Sequence, residues 1–169
     1  SEELKKFKYQ RYMQKYLRTV ASIDESIGRL LDMLDEEGVA ENTMVCFTAD
    51  NGPEGNPGKR GRSQGSADPF RGRKRSLYEG GVRVPGLIEW PARIEAGSET
   101  AVSAVTSDYF PTVLDMLGYK LPEDLRRPYD GVSLVPLFEG KRFARPSPIG
   151  FQGHGLATLN DNRFKLVHN

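Results

Sequence analysis

Apolar residues at Leu17, Val20, Ile23, Ile27, Leu30, Leu31 and Leu34 recur at intervals of three and four, the spacing of one face of an α-helix. Charged residues fill the other face, and Gly28 is the single glycine or proline between residues 2 and 37. The pattern predicts a helix over residues 17–37, which Gly38 ends by taking the left-handed conformation. Residues 3–16 are highly charged and predict a helical stretch that packs only loosely. The period then changes. Residues 44–49, Met-Val-Cys-Phe-Thr-Ala, form a short continuous apolar run, as expected of a strand buried on both faces. It stops at Asp50-Asn51-Gly52-Pro53, a turn sequence at the carboxyl end of the strand. In open α/β sheets that end is where ligands bind.

Residues 53–76 have little apolar periodicity and many Gly, Arg, Lys and Ser, which predicts a long loop. A second strand is expected over residues 82–90, closing at Pro91. Residues 108–117 predict a short helix with Pro111 in its first turn and Gly118 at its end. Residues 121–140 read as irregular with an apolar stretch at 132–138, and residues 156–167 as a hairpin turning across Asn160-Asp161-Asn162-Arg163. A helix, a turn and a buried strand together indicate an α/β part, followed by an α+β part.

Composition narrows the classes. The chain has 169 residues with 24 Lys+Arg against 23 Asp+Glu, a formal net charge of +1. That balance argues against a dedicated nucleic-acid or membrane-surface protein. Hydrophobic residues make up 37% of the chain and the mean hydropathy is -0.55. One cysteine, Cys46, excludes an internal disulfide framework. No run is long and apolar enough for a membrane span, and no signal-peptide pattern is present. The chain opens on Ser1 rather than Met, which suggests a processed or cut end.

Three stretches could carry chemistry. Asp50 and Asn51 place two hard oxygen donors side by side, which suits Ca²⁺ or Mg²⁺ better than Zn²⁺. Asp-Asn-Gly is equally a common turn, and two donors fall short of a Ca²⁺ shell, so other groups must complete it. Lys74 lies at the end of a basic loop in which residues 59–75 carry seven Lys or Arg and one acid, Asp68. Such a loop can bind an anion or simply be solvated, and only Phe70 is available for the base stacking expected of nucleic-acid binders. Glu79-Gly80-Gly81-Val82-Arg83 allows tight backbone packing, with Glu79 and Arg83 placed to form a brace. His154, between Gly153 and Gly155, could reach into a site or stay exposed in a loop.

Taken together, these stretches resemble the C-terminal portion of a type I sulfatase of the alkaline phosphatase superfamily. The resemblance rests on residues 16–34 (YLRTVASIDESIGRLLDML), 42–52 (NTMVCFTADNG) and 71–85 (RGRKRSLYEGGVRVP). Weaker matches at 107–118, 130–140 and 156–167 follow in the family's order and cover nearly the whole chain. The resemblance implies a partial alkaline-phosphatase-like α/β sheet with helices in residues 1–97. It implies a small C-terminal α+β subdomain with an antiparallel sheet in residues 98–169. It also implies that Asp50 and Asn51 are two ligands of a divalent cation, Ca²⁺ more than Mg²⁺. Lys74 is implied to be the catalytic lysine that holds a sulfate oxygen and neutralises the leaving group, and His154 a further substrate contact. Glu79, Gly80, Gly81 and Arg83 are implied to be scaffold around the lysine.

The chain departs from the family at three points. Sulfatases make a formylglycine nucleophile from a Cys/Ser-x-Pro-x-Arg motif, whereas Cys46 is followed by Phe47-Thr48-Ala49. The first pair of metal-binding aspartates is absent, and no histidine precedes Asp50. The expectation is therefore a fragment of a sulfuric ester hydrolase, inactive alone, acting on a sulfate ester with the missing N-terminal part or by self-association. Secreted or periplasmic localisation follows from the family. The alternatives are a fragment of a related phosphodiester or phosphonate hydrolase, or a non-catalytic anion-binding module built on residues 59–75.

Overall fold

A computed structural model describes residues 2–54, 65–120, 129–141, 143–153 and 155–168. The first helix, α1, is continuous over Glu2–Glu36. It joins the helical stretch expected at residues 3–16 to the helix expected at residues 17–37, because no glycine or proline interrupts residues 2–27. Gly38, at φ 66°, turns the chain out of the helix, and Val39 N–H closes on Leu34 C=O at 3.0 Å. A 3-10 turn, Ala40–Asn42, leads into β1, Val45–Thr48.

The strand β1 pairs antiparallel with β2, Gly86–Glu89, in the register Val45 to Glu89 and Thr48 to Gly86. One expectation is corrected here. The strand predicted to be buried on both faces is open: Cys46 and Phe47 are exposed and Val45 and Thr48 half-buried. β2 is its sole partner among the described residues, and α1 does not lie across the pair. Instead α1 meets the sheet through its last turns, where Leu31 and Leu34 border a crevice with Val45 and Pro91.

The second strand is also shorter than the expected 82–90. Residues Glu79–Val82 form a single helical turn, α2, before β2 starts. Gly81 N–H donates to Tyr78 C=O at 2.9 Å and Arg83 N–H to Glu79 C=O at 2.8 Å, which commits these residues to a helical turn.

The remainder contains α3, Tyr109–Met116, entered through a 3-10 turn at Thr106–Asp108, and α4, Val135–Phe138. Three strands follow, β3 (Ile149–Gly153), β4 (Leu156–Asn160) and β5 (Lys165–His168), in an antiparallel sheet ordered β3-β4-β5. The expected hairpin is present as β4 and β5, with Asn160 opposite Lys165. A mixed fold with small antiparallel sheets is thus observed.

A buried ion pair between residues 37 positions apart, which no local pattern signals, holds this part together. Arg145 reaches Asp108 through two bonds, Nη1 to Oδ2 at 2.7 Å and Nη2 to Oδ1 at 2.8 Å. The Asp108 side chain is fully buried and that of Arg145 is 1% exposed. Asp108 also accepts from Val105 N–H and Val132 N–H, each at 2.8 Å, so one carboxylate ties together the start of α3, the approach to α4 and the segment before β3. Thr112, also buried, donates to Asp108 C=O and accepts from Leu134 N–H.

Candidate active site

Asp50 and Asn51 follow β1 directly, at a bend where Asp50 is exposed and Asn51 half-buried. The bend is pinned by backbone contacts. Gly52 N–H donates to Gly81 C=O at 2.8 Å, and Lys74 N–H donates to Pro53 C=O at 2.9 Å. The Asp50-Asn51 bend, the loop carrying Lys74 and α2 are therefore one unit.

The glycines explain why these segments approach so closely. A Cβ at Gly52 would stand 2.0 Å from Gly80 C=O oxygen, one at Gly80 2.2 Å from Gly72 C=O oxygen, and one at Gly81 2.0 Å from Ser76 C=O oxygen. Backbone lies on backbone at each contact, with no room for a side chain. Gly80 N–H closes the packing by donating to Arg71 C=O at 2.8 Å. Thr48 Oγ1 donates to Pro85 C=O at 2.8 Å and fixes the end of β1 to the chain beyond α2.

The basic run 71–75 is differentiated by what each side chain touches. The Arg71 guanidinium stacks on Tyr78 at 3.9 Å from the ring centre. Arg73 Nη1 donates to Gly65 C=O at 3.0 Å. Arg75 takes a positive φ of 75° and pairs with Glu54 at 2.6 Å. Lys74 is half-buried, and among the described residues no carboxylate, carbonyl or ring partners its ammonium. Four cations in sequence thus divide into three that hold the loop and one that is available. Beyond the run, Arg83 lies over Phe70 at 4.7 Å.

Glu79 makes the expected brace with Arg83 and a second, shorter pairing besides. Its Oε2 is 3.8 Å from Arg83, but its Oε1 accepts from Lys165 Nζ at 2.7 Å. The stronger contact reaches across to β5, a long-range pairing that no local spacing signals.

The other sequence candidates separate from this unit. His154 lies outside the described residues, as do Lys59, Arg60 and Arg62 of the basic loop. Cys46 lies on the exposed sheet, its thiol pushed above the ordinary 9.0 by partial burial. That is the reverse of what an activated nucleophile requires.

A hard divalent cation takes oxygen donors, and the bend offers a carboxylate beside a carboxamide. Among the described residues, no hydrogen-bond or ion-pair partner engages the side chains of Asp50 and Asn51, which leaves their oxygens available. Among the described residues, no group of three or more His, Cys, Asp or Glu is placed to hold a metal. The pair fits as part of an oxygen shell of six to eight ligands, the remainder coming from other groups.

Residues 1–119 match the model of the family described as sulfatase. The chain belongs to the sulfatase family. Human steryl-sulfatase is 41% identical over 128 residues, spanning 75% of this chain and 22% of that protein. The N-acetylglucosamine-6-O-sulfatase of Bacteroides thetaiotaomicron is 37% identical over 135 residues, spanning 80% of this chain and 22% of that protein. Among solved structures, a protein in complex with its substrate D-glucosamine-2-N,6-O-disulfate superposes with a TM-score of 0.70 at 33% identity. That match covers 96% of this chain and 32% of the other. A Pseudoalteromonas sulfatase crystal structure gives a TM-score of 0.65 at 26% identity, covering 88% of this chain and 33% of its own. This sulfatase chain therefore spans 20–28% of the length of the curated relatives it matches.

Proposed function

We propose that this chain supplies part of the active site of a sulfate-ester hydrolase. In that role Asp50 and Asn51 contribute two oxygen ligands to a divalent cation, Ca²⁺ in preference to Mg²⁺, and Lys74 holds an oxygen of the sulfate group. The observation that carries the reading is the position of Lys74. Its backbone is bonded to Pro53, three residues from Asp50, while its ammonium has no partner among the described residues. Arg71, Arg73 and Arg75 are each spent on the scaffold.

The chemistry follows from those placements. A bound divalent cation supplies Lewis-acid stabilisation of anionic oxygens. Lys74 donates hydrogen bonds to a sulfate oxygen and opposes the negative charge that grows as the S–O bond breaks. The glycine contacts at Gly52, Gly80 and Gly81 keep the lysine backbone and the carboxylate bend in fixed relation, so little reorganisation is needed when the anion arrives.

Cys46 is not the nucleophile in this reading. The sequence around it lacks the Cys/Ser-x-Pro-x-Arg pattern, and the chain by itself is proposed not to turn over sulfate esters. The bound substrate of the glucosamine-disulfate structure and the steroid named in steryl-sulfatase share the sulfate ester, the substrate class proposed here.

Calorimetry with Ca²⁺ and inorganic sulfate tests the proposal. Ca²⁺ affinity should fall at least tenfold in Asp50→Ala, while Lys74→Ala should weaken sulfate binding and leave Ca²⁺ affinity intact. Turnover of an aryl sulfate by the chain with Ca²⁺, abolished by Lys74→Ala, would contradict the absence of a nucleophile. Ca²⁺ and sulfate binding indifferent to both substitutions would sink the whole assignment.

A further inference from the structure

Lys165 is the first residue of β5 and directly follows the turn that closes the β4–β5 hairpin. That turn is fixed from two sides. Asp161 accepts from Arg163 N–H and Phe164 N–H, and Asn162 Oδ1 accepts from Ser103 N–H at 2.9 Å. A pinned hairpin therefore presents the Lys165 side chain, which is 14% exposed, to Glu79.

The reach of that side chain matters because α2 has little tendency to hold its own shape. It has four residues, two of them glycine, and no side chain caps it. Yet the support of Lys74 passes through it. Gly80 N–H donates to Arg71 C=O, Gly81 C=O accepts from Gly52 N–H, and Gly81 packs without a side chain against the Ser76 and Arg73 carbonyls. The second oxygen of Glu79 faces Arg83 at 3.8 Å, and the Arg83 guanidinium lies over Phe70, the residue before the basic run. Among the described residues, Lys165 to Glu79 is the one hydrogen bond or ion pair that joins residues 2–97 to residues 129–168.

We infer that Lys165 is a positioning residue for the anion site. Through Glu79 it holds α2, and through α2 it holds the backbone of the Lys74 loop in the geometry that binds sulfate. The inference rests on the reading of Lys74 as the sulfate-holding lysine. An ammonium largely removed from water, 2.7 Å from a carboxylate oxygen, makes a charge-assisted bond that salt screens less than it screens an exposed pair. The C-terminal sheet thereby sets the precision of a site built on residues 50–83.

Amide exchange and sulfate titration of the unmodified chain, Lys165→Met and Lys165→Arg test the inference. In Lys165→Met, exchange at the Lys74, Gly52 and Gly80 amides should accelerate about tenfold, clearly more than at Val105 and Val132, whose N–H groups bond to Asp108. Affinity for inorganic sulfate in the presence of Ca²⁺ should fall about fivefold in the same variant. Lys165→Arg keeps the cation and should restore both. Equal acceleration at all five amides would mean that Lys165 only stabilises the fold, and overturns the inference. Unchanged exchange at Lys74 overturns it too, as does full sulfate affinity in Lys165→Met when that binding depends on Lys74. Sulfate binding that is absent, or indifferent to Lys74→Ala, defeats the reading of Lys74 instead, and the exchange pattern then decides by itself whether Lys165 positions the loop.

Discussion

Lys165 Nζ lies 2.7 Å from Glu79 Oε1, joining β5 to the helical turn that follows the Lys74 loop. The two side chains are unequally covered, Lys165 being 14% exposed and Glu79 34%. Removing one partner leaves the other in a different environment, and the cost differs accordingly.

Glu79→Ala strands the more buried ammonium and should destabilise the protein by about 2 kcal/mol, whereas Lys165→Met leaves the better hydrated carboxylate and should cost about 1 kcal/mol. Urea denaturation of the two single variants and the double variant checks the asymmetry and isolates the coupling between them. Equal and negligible losses would show that the contact contributes nothing.

The Asp108–Arg145 pair should be far more sensitive. Both side chains are buried, and Asp108 additionally satisfies two backbone N–H groups. Arg145→Met leaves a buried carboxylate without its cation and should cost about 3–5 kcal/mol. Combining it with Asp108→Asn, which keeps an acceptor for the backbone, should cost clearly less than the sum of the two single changes. Thermal or denaturant unfolding of the three variants decides the point.

Gly81→Ala should loosen the candidate site rather than merely the nearby chain. The added methyl would lie 2.0 Å from Ser76 C=O oxygen and 2.5 Å from Arg73 C=O oxygen, both in the loop carrying Lys74. The expected loss is more than about 2 kcal/mol, since backbone rather than a flexible side chain must move. Amide exchange at Lys74, whose N–H is bonded to Pro53, should accelerate in the variant. Unchanged protection there would contradict the proposed coupling.

Asp161 gives the β4–β5 turn a defined pH response. Its carboxyl is held below the ordinary 3.8 by the N–H groups of Phe164 and Arg163, which donate at 2.7 and 3.0 Å. The folded state thus prefers the ionised form. Its contribution is complete above the unfolded value and is lost as pH falls through the lower folded value, a decline that starts near about pH 5. Stability of the unmodified chain and of Asp161→Asn should therefore converge on acidification. Parallel curves between neutral pH and about pH 3 would refute the assignment.

The elements differ in how openly the sequence declares them. The three-and-four apolar spacing of α1, the apolar run of β1, Pro111 and Gly118 around α3 and the β4–β5 hairpin are set by local periodicity and turn chemistry, so they are legible without tertiary contacts. The one-turn helix α2 was not, because Glu79-Gly80-Gly81-Val82 has no helical preference of its own and adopts the turn against neighbouring backbone. The exposure of Cys46 and Phe47 was also invisible: an apolar run signals burial but does not specify which layers cover it.

At the candidate site, the sequence by itself determined the residue types: a carboxylate beside a carboxamide after a strand, a basic run, and a pair of glycines before another strand. It also carried the sulfatase resemblance, because those types recur at the family's spacing. Only the tertiary structure decided which cation of the run has no partner among the described residues, with Arg71, Arg73 and Arg75 taken by Tyr78, Gly65 and Glu54. The same holds for Glu79 choosing Lys165, 86 positions away, and for Asp108 choosing Arg145, 37 positions away. Local periodicity reports on neighbours within a turn or two, whereas the partner of a charge is fixed by whichever distant segment the fold brings within hydrogen-bond reach.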